Sequence, residues 1–107
     1  MSANAIARRY AKALVQIGAE EGAVDRFHGE LRGFDAVLAS HGELKSVFTN
    51  PAFGVEAKRN ILQDLIAKLS VSTTVASFLL LLLDKNRLSL LGQILACYGT
   101  LADELSG

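Results

Sequence analysis

The feature that most constrains this chain is the spacing of its large apolar residues. Phe27, Leu31, Phe34 and Leu38 recur at intervals of four, three and four. That rhythm lines one face of an α-helix and would scatter over both faces of a strand. Leu62, Leu65, Ile66 and Leu69 repeat the pattern, and so do Leu88, Leu91, Leu95, Tyr98, Ala102 and Leu105. β-Branched residues never form a long alternating run, and Pro51 is the one proline. The chain is therefore expected to be all-α, a six-helix bundle forming a single domain.

Punctuation sets the bounds. The first helix is expected over about residues 4–19, stopping near Gly18 and Gly22. A second spans 24–40 and ends at Gly42. A short third covers 43–48 and must stop at Asn50, because the ring of Pro51 pushes the residue before it out of helical geometry. The fourth covers 55–69. Ser70 or Ser72 caps a fifth at 73–84. Lys85-Asn86-Arg87 reads as a tight turn, since Asn tolerates a left-handed backbone. The last helix runs over 88–105, with the stripe from Leu88 to Leu105 facing inward and Gly92 and Gly99 at its edge, where a neighbouring helix could come close.

Composition narrows the function. Lys plus Arg equals Asp plus Glu at 11 each, which argues against a nucleic-acid binder. The lone Cys97 cannot form an internal disulfide, and a reducing compartment is the simplest reading. The longest apolar run, 78–83, or 75–83 with Ala76 and Ser77 admitted, falls short of the roughly 20 residues a membrane span needs. Residues 1–20 lack the apolar stretch of a signal peptide. A soluble protein with no direct membrane insertion is expected.

Catalytic patterns are absent. No Gly-x-Gly-x-x-Gly or Gly-Lys-Ser phosphate loop occurs. His28 and His41 have no partners at metal spacing and read as solvated or capping residues. Cys97, beside the inward stripe, reads as a small buried apolar group. Asp103 and Glu104 are adjacent, point apart on a helix, and read as a solvated end. No enzyme, cofactor or metal is expected.

Two helices carry more apolar surface than a core needs. The fifth sets Val75, Phe78, Leu79 and Leu82 on one face, yet Leu80 and Leu81 fall on the far side, flanking Ser77. On the first, Ala7, Ala11, Leu14 and Gly18 form one arc, and Ile6, Tyr10, Ala13 and Ile17 form a second beside it. Arg8, Arg9, Lys12 and Gln16 fill the remainder. Either both helices are central in the bundle, or they flank an exposed groove for an amphipathic helix.

These residues also carry a resemblance. Ile6-Ala-Arg-Arg-Tyr-Ala-Lys-Ala-Leu14 resembles the opening signature of the delta subunit of the F-type ATP synthase, the oligomycin-sensitivity-conferring protein family. Asn50-Pro51, Lys58-Arg59, Phe78-Leu-x-Leu-Leu, Asn86-Arg87-Leu88 and Asp103-Glu104 follow in the family's order. The resemblance implies a non-catalytic stator component of this proton-translocating machine. It would sit at the top of the catalytic head, on the cytoplasmic face of the bacterial inner membrane, as a peripheral part of the complex. The family's first and fifth helices bind the N-terminal helix of an alpha subunit, holding the head still while the rotor turns. Carried over by position, the groove residues are Ile6, Tyr10, Ala13 and Ile17 on the first helix and Ser77, Leu80 and Leu81 on the fifth, with Leu14 and Phe78 in the core beneath. Family members run well beyond 107 residues and bind a peripheral-stalk subunit through a C-terminal domain, so this chain looks like an N-terminal domain alone. An alternative is an RNA-binding helical bundle of the antitermination type, using Arg8, Arg9 and Lys12. A third is a self-associating domain whose leucines pair in a homodimer.

Overall fold

The apolar periods become six α-helices in the computed structural model, which describes residues 2–107: α1 (Ala3–Glu21), α2 (Val24–Ser40), α3 (Gly42–Thr49), α4 (Val55–Leu69), α5 (Thr73–Asp84) and α6 (Leu91–Ser106). A 3-10 turn, Leu88–Leu90, leads into α6, and no strand occurs among the described residues. The expected all-α six-helix bundle is what forms.

Local chemistry explains the ends. Ser2 caps α1 by accepting the Ala5 amide at 3.2 Å. The helix runs two residues past the expected stop, to Glu21, where Gly22 turns left-handed (φ 66°) and the Ala23 amide reaches back to the Gly18 carbonyl at 2.7 Å. The chain then re-enters helix at Val24. A side chain would crowd this corner: a Cβ at Gly18 would lie 3.1 Å from Val24 Cα and 3.2 Å from its nitrogen. At the far end of α3, Asn50 is extended before Pro51, and its side-chain oxygen accepts the Ala52 amide at 2.9 Å.

The choice between Ser70 and Ser72 resolves by backbone. Ser70 closes α4 in the left-handed region (φ 53°), and Ser72 caps α5 by accepting the Val75 amide. Asn86 takes the expected left-handed conformation (φ 56°), and the Arg87 amide bonds the Leu82 carbonyl at 2.7 Å. Arg59 on α4 pairs with Asp84 at the end of α5.

One core joins all the helices. The whole α2 stripe, Phe27, Leu31, Phe34 and Leu38, is buried. It meets Ala7, Ala11 and Leu14 of α1, Leu62 of α4, Val75, Leu79 and Leu82 of α5, and Leu91, Ile94 and Tyr98 of α6. Burial of each large side chain stabilises by about 1.5–3 kcal/mol. Tyr98 donates its hydroxyl to the Val24 carbonyl at 2.7 Å, tying α6 to the start of α2. Burial, with the Asp25 carboxylate adding to it, pushes this phenol up to about 12, so it stays a donor. His28 leans on the Tyr98 ring at 5.2 Å between centroids, half-buried rather than solvated; exposed His41 bonds the Val37 carbonyl at the end of α2.

Two details of α6 differ from expectation. Its inward line is Leu91, Ile94 and Tyr98, with Leu95, Leu101 and Ala102 half-buried and Leu105 59% exposed. Burial fades along the helix, so its last turn extends past the core. Neither Gly92 nor Gly99 admits a close neighbour: nothing lies within 4 Å of a Cβ at Gly92, and the nearest atom to one at Gly99 is His28 Cε1, at 3.7 Å.

Candidate partner-binding groove

Between α1 and α5 the surface opens into a groove of about 630 Å³. Its α1 wall is Ile6, Arg9, Tyr10, Ala13 and Ile17, and its α5 wall is Thr73, Thr74, Ser77 and Leu81. Leu14 and Phe78, both buried, form the floor. Of the two readings of the surplus apolar surface, the open groove is therefore what the geometry contains. Ile17 is 38% exposed and Leu81 43%, values that a helix central to the bundle would not show.

Six of the seven residues singled out from the sequence line this groove: Ile6, Tyr10, Ala13, Ile17, Ser77 and Leu81. Leu80 does not. It sits about 100° around α5 from Leu81 and packs, half-buried, against the core. It is removed from the wall for that reason.

Tyr10 organises one stretch of the groove. Its ring stands edge-on to Phe78, with centroids 6.1 Å apart and planes at 76°. Its hydroxyl accepts a hydrogen bond from Arg87 Nη1 at 2.9 Å, and the same guanidinium lies 5.7 Å from the ring centroid. Arg87, Arg9, Thr73 and Thr74 are lining residues that the sequence reading did not assign to the groove. Thr73 and Thr74 follow from the wheel of α5, one turn before Ser77. Arg87 had no such signal, because its partner lies 77 positions away.

Elsewhere the candidates are plain. Cys97 is half-buried with a free thiol, and Asp103 and Glu104 are exposed. No three His, Cys, Asp or Glu side chains converge among the described residues.

The site is thus an open, mostly apolar groove between two helices of an all-helical bundle. Comparison with known proteins supplies the family. Residues 6–107 match the family described as ATP synthase delta (OSCP) subunit, so the chain belongs to that family. It is 64% identical over all 107 residues to the ATP synthase subunit delta of Geotalea uraniireducens (strain Rf4). It is 59% identical to that of Geobacter metallireducens and 53% identical to that of Citrifermentans bemidjiense, again over its full length. In each case the match covers 59% of the relative, so the chain spans about three fifths of these curated proteins.

Proposed function

We propose that this chain is the head-binding domain of a stator subunit in a proton-translocating F-type ATP synthase, and that its α1–α5 groove receives the N-terminal helix of an alpha subunit. The role is structural rather than catalytic: the contact ties the catalytic head to the peripheral stalk and resists rotation of the head. A stalk subunit would be engaged by a further domain, as the length of the relatives suggests. The complex would hold the domain at the cytoplasmic face of the bacterial inner membrane as a peripheral part. Among the described residues no helix is long and apolar enough to cross a membrane.

The observation that carries this reading is the exposed apolar pair Ile17 and Leu81 on opposite walls of one groove, in a member of the delta family. Large apolar groups left in water on facing helices gain about 25 cal/mol per Å² when a partner covers them. Titrating the chain with a synthetic peptide of the alpha-subunit N-terminal helix tests it. Saturable binding that shifts the amide resonances of Ile6, Tyr10, Ala13, Ile17, Ser77 and Leu81 is expected. Shifts confined to other faces, or no binding at high micromolar peptide, would refute it.

A further inference from the structure

We propose that Arg87 gives the groove a charge preference, so that its occupant is an amphipathic helix carrying a carboxylate where it passes Arg87 and Tyr10. The inference rests on the groove being a helix seat and specifies what kind of helix fits.

The groove is not electrically neutral, although the chain as a whole is. Its lining includes two cations, Arg9 and Arg87, and four hydroxyl side chains, but no carboxylate. Arg87 is set in place by its backbone. The left-handed Asn86 reverses the chain after α5, and the Arg87 amide is fixed to the Leu82 carbonyl at 2.7 Å. The side chain is then held on Tyr10, bonded to the hydroxyl at 2.9 Å and lying 5.7 Å from the ring centroid. Tyr10 is itself braced against Phe78. A guanidinium carries five N–H donors. The bond to Tyr10 is the one side-chain hydrogen bond that Arg87 makes among the described residues. No other hydrogen bond among the described residues takes up its remaining donors.

That arrangement decides between occupants. Ordering a long side chain normally opposes an ion pair, but here the packing of Tyr10 has already ordered it. A helix seated on the apolar walls would strip water from the half-buried guanidinium. A carboxylate at that point replaces the lost water with a charge-assisted bond, whereas a lysine there adds repulsion to desolvation.

Two designed peptides test this. They share one apolar helical face and differ only in carrying Glu or Lys at the rim positions beside the Arg87 end. Anisotropy titrations of the 107-residue chain should show the Glu peptide binding about tenfold more tightly at low salt, with the gap closing as salt rises. Arg87→Gln should shrink the preference severalfold, and Arg87→Glu should reverse it. Thermal melts check that each variant is folded; if Arg87→Glu is not, Arg87→Gln and the salt dependence decide. Equal binding of both peptides by the wild type, or a preference unchanged by substitution at Arg87, overturns the inference. The alpha-subunit peptide separates this from the function proposed above. If it fails to bind while the Glu peptide shows an Arg87-dependent preference, the function falls and the charge preference stands. If it binds wild type and Arg87→Glu equally, the charge preference falls and the function stands.

Discussion

Helix α1 has two apolar faces about 100° apart, and they meet different fates. One carries Ala7, Ala11, Leu14 and Gly18, all buried against the bundle. The other carries Ile6, Tyr10, Ala13 and Ile17 and lines an open groove. Hydrophobicity does not separate them, because the open face bears the larger side chains. Size and partner do. Alanine and glycine let a neighbouring backbone come close, and α6 is the main packing partner of α1. On the other face α1 meets α5 through two rings, Tyr10 edge-on to Phe78, and the walls stay apart above them. A closed face is built by small residues beneath a close neighbour. An open one is built by large residues with nothing of the same chain above them.

The closed side should be the more costly to damage. Phe27, 1% exposed, fills the corner where α1 turns into α2. Phe27→Ala should destabilise the fold by about 3–5 kcal/mol through the cavity it leaves. Urea denaturation reads this directly; a loss below about 0.5 kcal/mol would remove Phe27 from the core.

The open side should respond in binding instead of stability. Leu81→Asp adds a charge that stays hydrated in the free domain, so the melting temperature should hardly move. Under a partner helix the carboxylate would be desolvated, at a cost of at least about 2–3 kcal/mol, or two decades of affinity. Arg87, further along the same groove, could offset part of that penalty, so the loss should deepen in an Arg87→Gln background. Melting and peptide titration on one preparation separate the faces. A mutant that unfolds would put Leu81 on the closed side, and one that binds normally would take it out of the groove.

Glycine gives a smaller contrast of opposite sign. Gly18→Ala must push against Val24 backbone atoms at 3.1 and 3.2 Å, which cannot swing aside as a side chain can. Overpacking should outweigh the gain in helix propensity and cost about 1–2 kcal/mol. Gly33 lies in α2 with nothing within 4 Å of an added Cβ, and Gly33→Ala should stabilise by about 0.5–1 kcal/mol. Equal effects in paired denaturation curves would mean that the corner at Gly18 is not tight.

The same division marks what was legible in the sequence. Helix spans, the Asn50 stop and the left-handed Asn86 depend on neighbours in the chain, and these were readable. So were the α2 stripe and the doubled face of α1, since both follow from a 3.6 period. Leu80 and Leu105 were misplaced because a helical wheel gives direction, not distance to a neighbour. Leu80 points away from the groove yet still meets the core, and Leu105 points inward where the core has run out. Arg87 was unreadable as a groove residue because the fold alone brings it to Tyr10.

The smallest effect concerns how the α5 wall is anchored. Glu30 of α2 accepts bonds from the Ser72 amide at 3.0 Å and the Ser72 hydroxyl at 2.7 Å. Ser72 caps α5, whose next two residues, Thr73 and Thr74, line the groove. The closed side of the molecule thus holds the open side through one carboxylate. Burial pushes the Glu30 carboxyl up, but the Ser72 bonds and the Arg26 guanidinium, 3.1 Å away, outweigh it and leave the group below its ordinary value of 4.5. A carboxyl depressed by folding stabilises fully above its unfolded value and loses that contribution as pH falls through its lower folded value. Glu30→Gln should therefore cost up to about 1 kcal/mol at pH 7, since the amide still accepts a bond but without charge. The gap to wild type should narrow as pH falls from 4.5 through the lower folded value, where the wild-type carboxyl becomes protonated as well. Urea midpoints of both proteins at neutral and acid pH measure it. A gap of the same size at both would mean that Ser72 is held by shape and not by charge.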